Sequence, residues 1–302
     1  MSRLTASLIV FLGAAGYGVL ATFTKMGYAM GFHVGEITGS QMMVGALVLW
    51  VLALIKVKKW PKLRLKEICV LLGVGSFTGL TGVFYYSSLK VLPASVAIIL
   101  LFQFTWIGVL LEWLIDKKKP TKGTVLSLVL VIIGTVLAAD LLDGSLSEIN
   151  GFGVLMGLCS AFTYATFIWA SGKVHTQISP WLRSPLMITG SALAIFILFP
   201  PTFLVSGAFG DGLWWLAPVM AFFGAILPTV CFNTGVPQIG SGMATILGSA
   251  ELPVAVLMAW GVLKESVTFL QWFGVALILM AIVVGEWDTV KQEIRKKSLS
   301  NV

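Results

Sequence analysis

Long apolar segments alternate with short polar ones along the whole chain. Reading the apolar runs against charged residues, glycines and prolines predicts ten helices, each near the roughly 20 residues that cross a hydrocarbon core of about 30 Å. The segment FPPTFLVSGAFGDGLWW (199–215) is itself apolar, so the end of the seventh helix and the start of the eighth are the least sharply defined. The pattern predicts an all-α integral membrane protein with ten transmembrane helices, at 4–24, 35–55, 67–88, 93–115, 121–141, 151–171, 184–205, 212–234, 239–263 and 268–287.

Composition supports a membrane protein. Of the 302 residues, 58% are hydrophobic and 11% are charged, whereas a soluble domain carries roughly a quarter charged residues. The three cysteines fall inside predicted helices in odd number, without the spacing of a disulfide framework or a metal site. The opening 21 residues, MSRLTASLIVFLGAAGYGVLA, resemble a secretory signal, but the charge pattern requires them to remain as the first helix.

The positive charges predict the orientation. With the N-terminus in the cytoplasm, seventeen of the 20 lysines and arginines lie on the cytoplasmic side, including Arg183 in the connection 172–183. Three lie outside, together with the acidic connection 140–150. Because cytoplasmic loops carry an excess of Lys and Arg, both termini are expected in the cytoplasm, at the plasma or bacterial inner membrane. The net charge of +7 thus belongs to loops, and no nucleic acid partner is expected.

The two halves of the chain repeat one pattern. Residues 94–137 and 241–284 each contain a small-residue helix start, a long apolar helix, a short charged break and a second helix, 147 to 149 residues apart. The predicted domains are 1–141 and 150–287, with a basic cytoplasmic tail at 288–302. Five helices per copy is an odd number, so the second copy should be inverted, as in secondary transporters that bind substrate between the halves. A duplicated scaffold without transport is the alternative.

Several motifs, taken in order, resemble one known family. The segment ATILGSAELPVAVLMAWGVLKESVTFLQWFGVALILMA (244–281) combines small residues, Glu, Pro, an apolar helix, a short turn and a Gly-containing helix. YGVLATFTK (17–25) and PASVAIIL (93–100) match two further stretches. Together they resemble the drug/metabolite transporter superfamily, with its EamA-like domain in two copies. The resemblance implies alternating-access export of amino acids, related metabolites or amphipathic drugs, without a cofactor.

The chain also departs from the family pattern. The first copy reads FQFTW (102–106) where a Glu-Pro pair is usual, and in the second copy Leu252 separates Glu251 from Pro253. Gln41 lies near the position where many relatives carry Arg. A substrate is therefore not carried over from relatives.

Glu251 is the leading candidate for binding or coupling. It lies about 12 residues into the ninth predicted helix, roughly 18 Å along its axis, near the middle of the membrane. An unpaired charge there costs about 2.5–3.5 kcal/mol on insertion scales, so the side chain should face a cavity, take a partner or stay protonated. Pro253 should free a carbonyl near Ser249, which would suit an ammonium group or a proton. A structural hinge is the alternative.

Lys25 ends the first predicted helix on the outer side. It is expected to contact a substrate carboxylate, to pair with Glu36, or to extend to the membrane interface. Glu112 is expected to pair with the neighbouring basic loop.

Other polar and aromatic residues inside predicted helices are secondary candidates for the cavity wall. Their default role is hydrogen bonding or packing between helices. These candidates are Gln41, Tyr86, Gln103, Trp106, Tyr164, Trp169 and Asn233.

The sequence disfavours other classes of protein. It has no Walker phosphate loop, no metal-ligand motif and no evident catalytic nucleophile, so neither an enzyme nor a metal site is expected. Import of a phosphorylated or sugar-linked metabolite would need several cations in the cavity, where only Lys25 is available. A membrane receptor or assembly scaffold is the alternative outside transport. The expected partners are a small-molecule substrate and the lipid bilayer, with proton coupling as a hypothesis and no prediction of oligomeric state.

Overall fold

A computed structural model describes residues 1–92, 94–139 and 150–300, with side chains placed for 1–92, 96–139 and 150–288. The acidic connection predicted at 140–150 therefore lies outside the described residues, except for Asn150. Every regular element in the described ranges is helical. The α-helices are α1 (Arg3–Ala29), α2 (Val34–Lys56), α3 (Leu65–Leu89), α4 (Ala94–Phe102), α5 (Phe104–Asp116), α6 (Lys122–Ala138), α7 (Gly151–Ser171), α8 (Pro180–Leu198), α9 (Trp214–Ala221), α10 (Leu227–Ile239), α11 (Ser241–Gly248), α12 (Glu251–Gly261) and α13 (Phe269–Ser300).

Nine helical segments in the described ranges are long and apolar enough to cross a membrane. The remaining predicted helix, the fifth at 121–141, corresponds to α6, an apolar helix of 17 residues that is shorter than the roughly 20 residues a perpendicular span needs. Within the described ranges the architecture is thus all-α, with nine segments long enough to span a membrane and one shorter apolar helix.

Two helices that the sequence predicts as continuous are broken near their middle. The segment predicted at 93–115 forms α4 and α5, with Gln103 between them, and the segment predicted at 239–263 forms α11 and α12, with Ser249 and Ala250 between them. Each pair still spans as one segment, Val96–Asp116 and Ser241–Gly261.

The seventh and eighth spans lie at positions different from those predicted. The prediction of 184–205 is wrong because Pro180 already starts α8 and the pair Pro200–Pro201 follows its end at Leu198; proline suits a first helical turn and cannot continue a helix. The next span is one helical stretch, Phe209–Ile239, that includes π-helical turns at Phe209–Leu213 and Phe222–Ile226, instead of ending at 234.

Arg183 is a helical residue, not the loop cation that the sequence predicts. It lies in the first turn of α8 and is fully buried. Its guanidinium donates to the carbonyl oxygen of Ser171, the last residue of α7, and to that of Asn233 at 3.1 Å. The C-terminal end of a helix carries partial negative charge, so the end of α7 stabilises this buried cation.

Local geometry repeats at a spacing of 147 residues. Lys117 and Lys264 both follow the end of the fourth helix of their copy, and both have φ of 58°. The amide of Lys118 donates to the carbonyl of Glu112, and the amide of Glu265 donates to that of Ala259. The two copies thus share one helix–turn–helix design at this register.

Equivalent helices of the two copies run in opposite directions. Along the contact between α5 and α11, a late residue of one meets an early residue of the other: Glu112 meets Gly242, and Phe104 meets Gly248. Helices α6 and α13 are likewise antiparallel, since Gly134 contacts Ile278 and Gly123 contacts Asp288. This arrangement fits an inverted repeat.

Glycines bring α3 and α8 into close contact. A Cβ on Gly75 would collide with the backbone carbonyl of Met187, and a Cβ on Gly190 would collide with the backbone of Leu72. Ser191 Oγ also donates to the Gly75 carbonyl oxygen at 2.6 Å. Helices that approach this closely gain dispersion contacts, the main force that associates helices within lipid.

We expect Gly75→Ala to destabilise the protein by about 1–3 kcal/mol, because the added methyl forces two backbones apart. Thermal unfolding of the purified protein in one detergent measures the change as a lower midpoint. Gly73→Ala is the matched control, since a Cβ at Gly73 meets nothing within 4 Å. Equal midpoints for the two variants would contradict the close packing of α3 on α8.

Candidate functional site

A cavity of about 560 Å³ lies between the two copies of the repeat. Its walls come from α1, α2 and α3 of the first copy and from α7 and α12 of the second, with smaller contributions from neighbouring segments. Five of the candidates that the sequence predicts line it: Lys25, Gln41, Tyr86, Tyr164 and Glu251.

Glu251 lies at the helix break, halfway along its span. It is the first residue of α12, ten residues from Ser241 and ten from Gly261, or about 15 Å from either end. Glu251 thus lies at the middle of its apolar segment, and its depth in the membrane stays a prediction. Among the described residues, no hydrogen bond or ion pair to its carboxylate is found.

The carbonyl near Ser249 is engaged, which contradicts the predicted free acceptor. The Leu252 amide donates to the Ser249 carbonyl oxygen at 3.2 Å, because the chain tightens into a 3₁₀-like turn at the break. Pro253 lies in the first turn of α12, where a missing N–H costs nothing. It is buried and lies outside the cavity lining, so its role is to shape the helix start.

A glycine on α1 sets how closely the first helix approaches Glu251. A Cβ on Gly18 would overlap the Glu251 backbone carbonyl and would come within 2.7 Å of Val254 Cβ. The absence of a side chain at this position lets the α1 backbone lie directly against the helix break.

Tyrosines form much of the cavity wall. Tyr17 and Tyr164 pack edge to face with ring centroids 5.7 Å apart. Tyr86 packs against Tyr28 at 6.1 Å and against Tyr85 at 5.8 Å. Glu251 lines the same cavity as these tyrosines.

Lys25 and Glu265 form an ion pair where the cavity reaches the ends of α1 and α12. The Lys25 Nζ atom lies 3.0 Å from Glu265 Oε1, and the two side chains are 58% and 47% exposed. Both residues line the cavity. The predicted pairing of Lys25 with Glu36 is wrong, because the Glu36 carboxylate instead accepts from the His33 amide at 2.9 Å and caps α2.

Gln41 faces the cavity from α2, where a glycine on the opposite helix makes room for it. Its side chain is 3% exposed, and a Cβ on Gly224 would collide with its Nε2 atom. The structure thus places Gln41 in the cavity lining.

Two candidates on the first copy lie away from the cavity and bond to each other. Trp106 Nε1 donates to Gln103 Oε1 at 2.7 Å, and Gln103 Nε2 donates to the Ile99 carbonyl oxygen at 2.9 Å. Trp106 is 39% exposed on the outer surface of the helices. Their polar atoms are satisfied within one helical segment, so neither is placed to bind a solute in the cavity.

Trp169 and Asn233 are also outside the lining. Trp169 Nε1 donates to Asp116 Oδ2 at 3.3 Å. Asn233 Nδ2 donates to Ser184 Oγ at 3.0 Å, next to the buried Arg183. Both side chains connect helices, which is the default role for polar groups in lipid.

Three cavity residues, Tyr17, Tyr28 and Glu265, were not predicted from the sequence, and Tyr85 lines the cavity next to the predicted Tyr86. A composition signal was available for the tyrosines, because the chain has only five, against 19 phenylalanines. Glu265 lies in a turn of mixed charge, and nothing in the sequence pairs it with Lys25, which lies 240 residues away.

At the end of the bundle opposite Lys25, Glu112 joins the two copies. Its Oε2 atom accepts from the Gly242 amide in the first turn of α11 at 2.8 Å, and its Oε1 atom lies 3.6 Å from Lys118 Nζ. A carboxylate at a helix N-terminus satisfies an orphan N–H and the positive end of the dipole. The predicted pairing with the basic loop is present, together with this additional bond.

Two ion pairs join further helices at the same end. Arg3 on α1 lies 3.8 Å from Glu286 on α13, with each side chain 16% exposed. Asp116 at the end of α5 lies 2.8 Å from Lys173, just after α7. Each pair connects the first copy to the second, so this end of the cavity is closed by polar contacts between the copies.

The chemistry of the site is that of binding. It offers one carboxylate, phenols, an amide and an ion pair in a space large enough for a small organic molecule. Within the described ranges, no three His, Cys, Asp or Glu side chains gather as they would around a metal ion.

Solved structures share this architecture. One crystal structure superposes with a TM-score of 0.73 over 94% of this chain and 98% of the other, at 18% sequence identity. At that identity the likeness concerns the fold alone.

Relatives named as transporters match most of the chain. "Uncharacterized transporter sll1319" of Synechocystis sp. is 27% identical over 236 residues, covering 76% of this chain and 69% of the relative. An "uncharacterized transporter" of Archaeoglobus fulgidus is 27% identical over 215 residues, covering 71% and 75% respectively. "Uncharacterized transporter YetK" of Bacillus subtilis is 26% identical over 269 residues, covering 82% and 76%.

The profile of the EamA-like transporter family matches the chain twice, at residues 4–139 and 151–285. These two ranges are the two copies that surround the cavity. The protein is a multi-pass membrane protein that belongs to the EamA-like transporter family.

Proposed function

We propose that this protein is a secondary active transporter that exports small organic solutes, such as amino acids, related metabolites or drugs, by alternating access. The observation that carries the proposal is a cavity between two antiparallel copies, with an unpaired carboxylate halfway along a broken span. Its volume of about 560 Å³ lies within the roughly 300–1,000 Å³ of small-molecule sites.

The break between α11 and α12 supports a substrate or ion site. Irregular backbone is tolerated at membrane depth only where protein buries it or where it lines a cavity. Transporters with inverted repeats place their binding sites at such discontinuous helices, near the midplane. Here the discontinuity brings Glu251 into the cavity wall.

Glu251 is the proposed proton carrier. A carboxyl group that alternates between protonated and charged forms can exchange a proton for a solute, as acidic residues do in proton relays of transporters. The side chain reaches the cavity, and its carboxylate has no fixed partner within the described residues. A proton or a substrate can therefore compete for it.

The contacts at the two ends of the bundle suit an alternating cycle. Lys25 and Glu265 lie half exposed at one end, whereas Glu112 ties α5 to α11 at the other. Switching between states requires the contacts of Glu112 to break while the end that contains Lys25 and Glu265 closes. Polar contacts at a helix end are weak enough to break and re-form, typically about 1 kcal/mol each.

The proposed location is the plasma membrane or bacterial inner membrane, with both termini in the cytoplasm. The closed end of the cavity adjoins the basic connection 116–122, which would be cytoplasmic under the positive-inside rule. The state described would then be open to the outside.

Export of a phosphorylated or sugar-linked anion, or its import, is disfavoured by the lining. Its lysine, Lys25, already pairs with Glu265, and Arg183 is buried between helices away from the cavity. Multiply charged anions bind sites with several cations.

A loss-of-contents assay tests transport directly. Liposomes with and without the protein are loaded with amino acids, other metabolites and drug-like cations, and mass spectrometry follows what leaves under imposed pH gradients. Selective loss of one chemical class from the protein liposomes supports the proposal. No selective loss at any gradient favours a receptor or scaffold and contradicts it.

We expect Glu251→Gln to abolish acceleration of solute flux by a pH gradient, with gradient-driven flux falling by about tenfold or more, because the amide keeps the shape but carries no proton. Proteoliposome flux with and without the gradient measures this. Glu36→Gln is the control, since Gln preserves the cap of α2. An unchanged flux rate and an unchanged pH dependence in Glu251→Gln would contradict the proposed coupling role of Glu251.

We expect Glu112→Ala to open the end of the cavity that adjoins the basic loop. Losing the bond to the Gly242 amide costs about 1–2 kcal/mol, which shifts the two states by roughly 5–30-fold. A cysteine in place of buried Val109, in a background without the three native cysteines, should react several-fold faster with a membrane-impermeant thiol reagent.

Lys118→Met is the matched control for this effect. It removes only a surface ion pair, and such pairs contribute about 0–1 kcal/mol. If Glu112→Ala and Lys118→Met label at the same rate as the parent, the Glu112 contact does not hold this end closed.

A further inference from the structure

All five tyrosines of the chain line the same cavity. They come from three different helices: Tyr17 and Tyr28 from α1, Tyr85 and Tyr86 from α3, and Tyr164 from α7. Tyrosine is rare in this chain, and its members reach one space from three helices. Their grouping is therefore a property of the cavity and not of any single helix.

These rings are not interchangeable with other aromatic residues of the chain. It has 19 phenylalanines and 11 tryptophans, all at described positions, and none of them lines the cavity. If the cavity required only apolar bulk, phenylalanine would serve equally well. The tyrosine ring has an electron-rich face that attracts cations, a property that phenylalanine shares, and tyrosine adds a hydroxyl group.

Two of the phenols are held without a partner. The hydroxyls of Tyr17 and Tyr164 are buried and have no hydrogen-bond partner among the described residues, and the Tyr164 side chain is 3% exposed. Both oxygen atoms are inaccessible, so the hydroxyl groups of these two residues do not face the cavity.

The charge of the lining is negative. Its charged side chains in the described ranges are Lys25, Glu251 and Glu265, and the Lys25–Glu265 pair compensates itself at 3.0 Å. Glu251 remains as the charge without a counterion among these lining residues, in the same cavity wall as the five tyrosines.

We propose that the cavity selects organic monocations: solutes with one amine or quaternary ammonium group on a compact apolar body. The cationic group lies between the carboxylate of Glu251 and the faces of the surrounding tyrosine rings, which attract cations through their quadrupole. The aliphatic wall, which includes Leu20, Ile98 and Val256, contacts the apolar body. This inference rests on the proposed function, since it names the substrate class of the same site.

Other charge classes fit less well. An anion would face Glu251 with no free cation in the described lining. A zwitterion would place its ammonium group at Glu251, but its carboxylate would then compete with Glu265 for Lys25. A neutral solute would gain nothing from the Glu251 carboxylate, which would have to take up a proton to avoid the cost of an unpaired charge at membrane depth.

A ligand series of constant shape and varied charge tests the proposal on the unmodified protein. Isothermal titration calorimetry of the purified full chain in detergent would compare benzyltrimethylammonium with its neutral carbon isostere, neopentylbenzene, and with phenylalanine and 3-phenylpropionate. We expect the cation to bind at least about tenfold more tightly than each of the others. Equal or tighter binding of the neutral, zwitterionic or anionic compound would overturn the proposal.

Two tyrosine variants separate the ring from the hydroxyl. Tyr85→Phe keeps the ring face and should change the affinity for benzyltrimethylammonium by less than about twofold, whereas Tyr85→Leu should weaken it by about threefold or more. Equal weakening in both variants would overturn the role of the ring. Glu251→Gln should weaken cation binding by about tenfold or more, and unchanged affinity would overturn the role of the carboxylate.

Failure of this inference can be told apart from failure of transport, because equilibrium binding needs no flux. Selective flux of another charge class, with no preference for the cation in calorimetry, would overturn the monocation class and leave transport intact. Cation-selective binding without flux of benzyltrimethylammonium in proteoliposomes would support the ligand class and contradict the transport function.

Discussion

The free-energy cost of holding one carboxyl group at membrane depth governs the centre of this structure. An isolated charge there costs at least about 2.5–3.5 kcal/mol, so the protein must give Glu251 a polar surrounding or a protonated form. The helix break at Ser249 and Ala250 lies directly before Glu251, whose side chain lines the cavity. Tyrosines from three other helices line the same cavity.

Glycines make that arrangement possible by letting helices approach closely. Gly18 allows the α1 backbone to lie against the start of α12, and Gly224 leaves space for Gln41. Gly75 and Gly190 bring α3 against α8, which fixes the helix that carries two of the tyrosines. The cavity is thus defined as much by where side chains are absent as by the side chains that line it.

The architecture was largely readable from the sequence, because lipid imposes a strong and local requirement on each span. Apolar length predicted nearly all helices, and the repeat predicted the antiparallel pairing of equivalent helices. The predicted helix boundary was wrong at Arg183. Its guanidinium donates to the carbonyl groups of Ser171 and Asn233, which lie too far along the chain for a local sequence pattern to reveal them.

The candidate site was only partly predictable from the sequence. Depth along the helix identified Glu251, which needs only counting. The sequence did not predict which way four other candidates face: Gln103, Trp106, Trp169 and Asn233. A polar side chain within a span can bond to a neighbouring helix or line a cavity, and the sequence pattern is the same in both cases. The Lys25–Glu265 pair joins residues far apart in the chain and required the folded structure.

The two copies differ at the position that matters most. At the spacing of 147 residues, the counterpart of Glu251 is Phe104, a fully buried ring packed against Tyr164 at 4.5 Å. At this position, only the second copy carries an ionisable side chain.

The gathering of every tyrosine in one cavity also makes this residue type a selective spectroscopic reporter. Biosynthetic incorporation of 3-fluorotyrosine would introduce five fluorine nuclei into a chain of 302 residues, all of them in the cavity wall. A fluorine spectrum would then record the occupancy and motion of this one region, with no engineered cysteine and no background from the remaining helices.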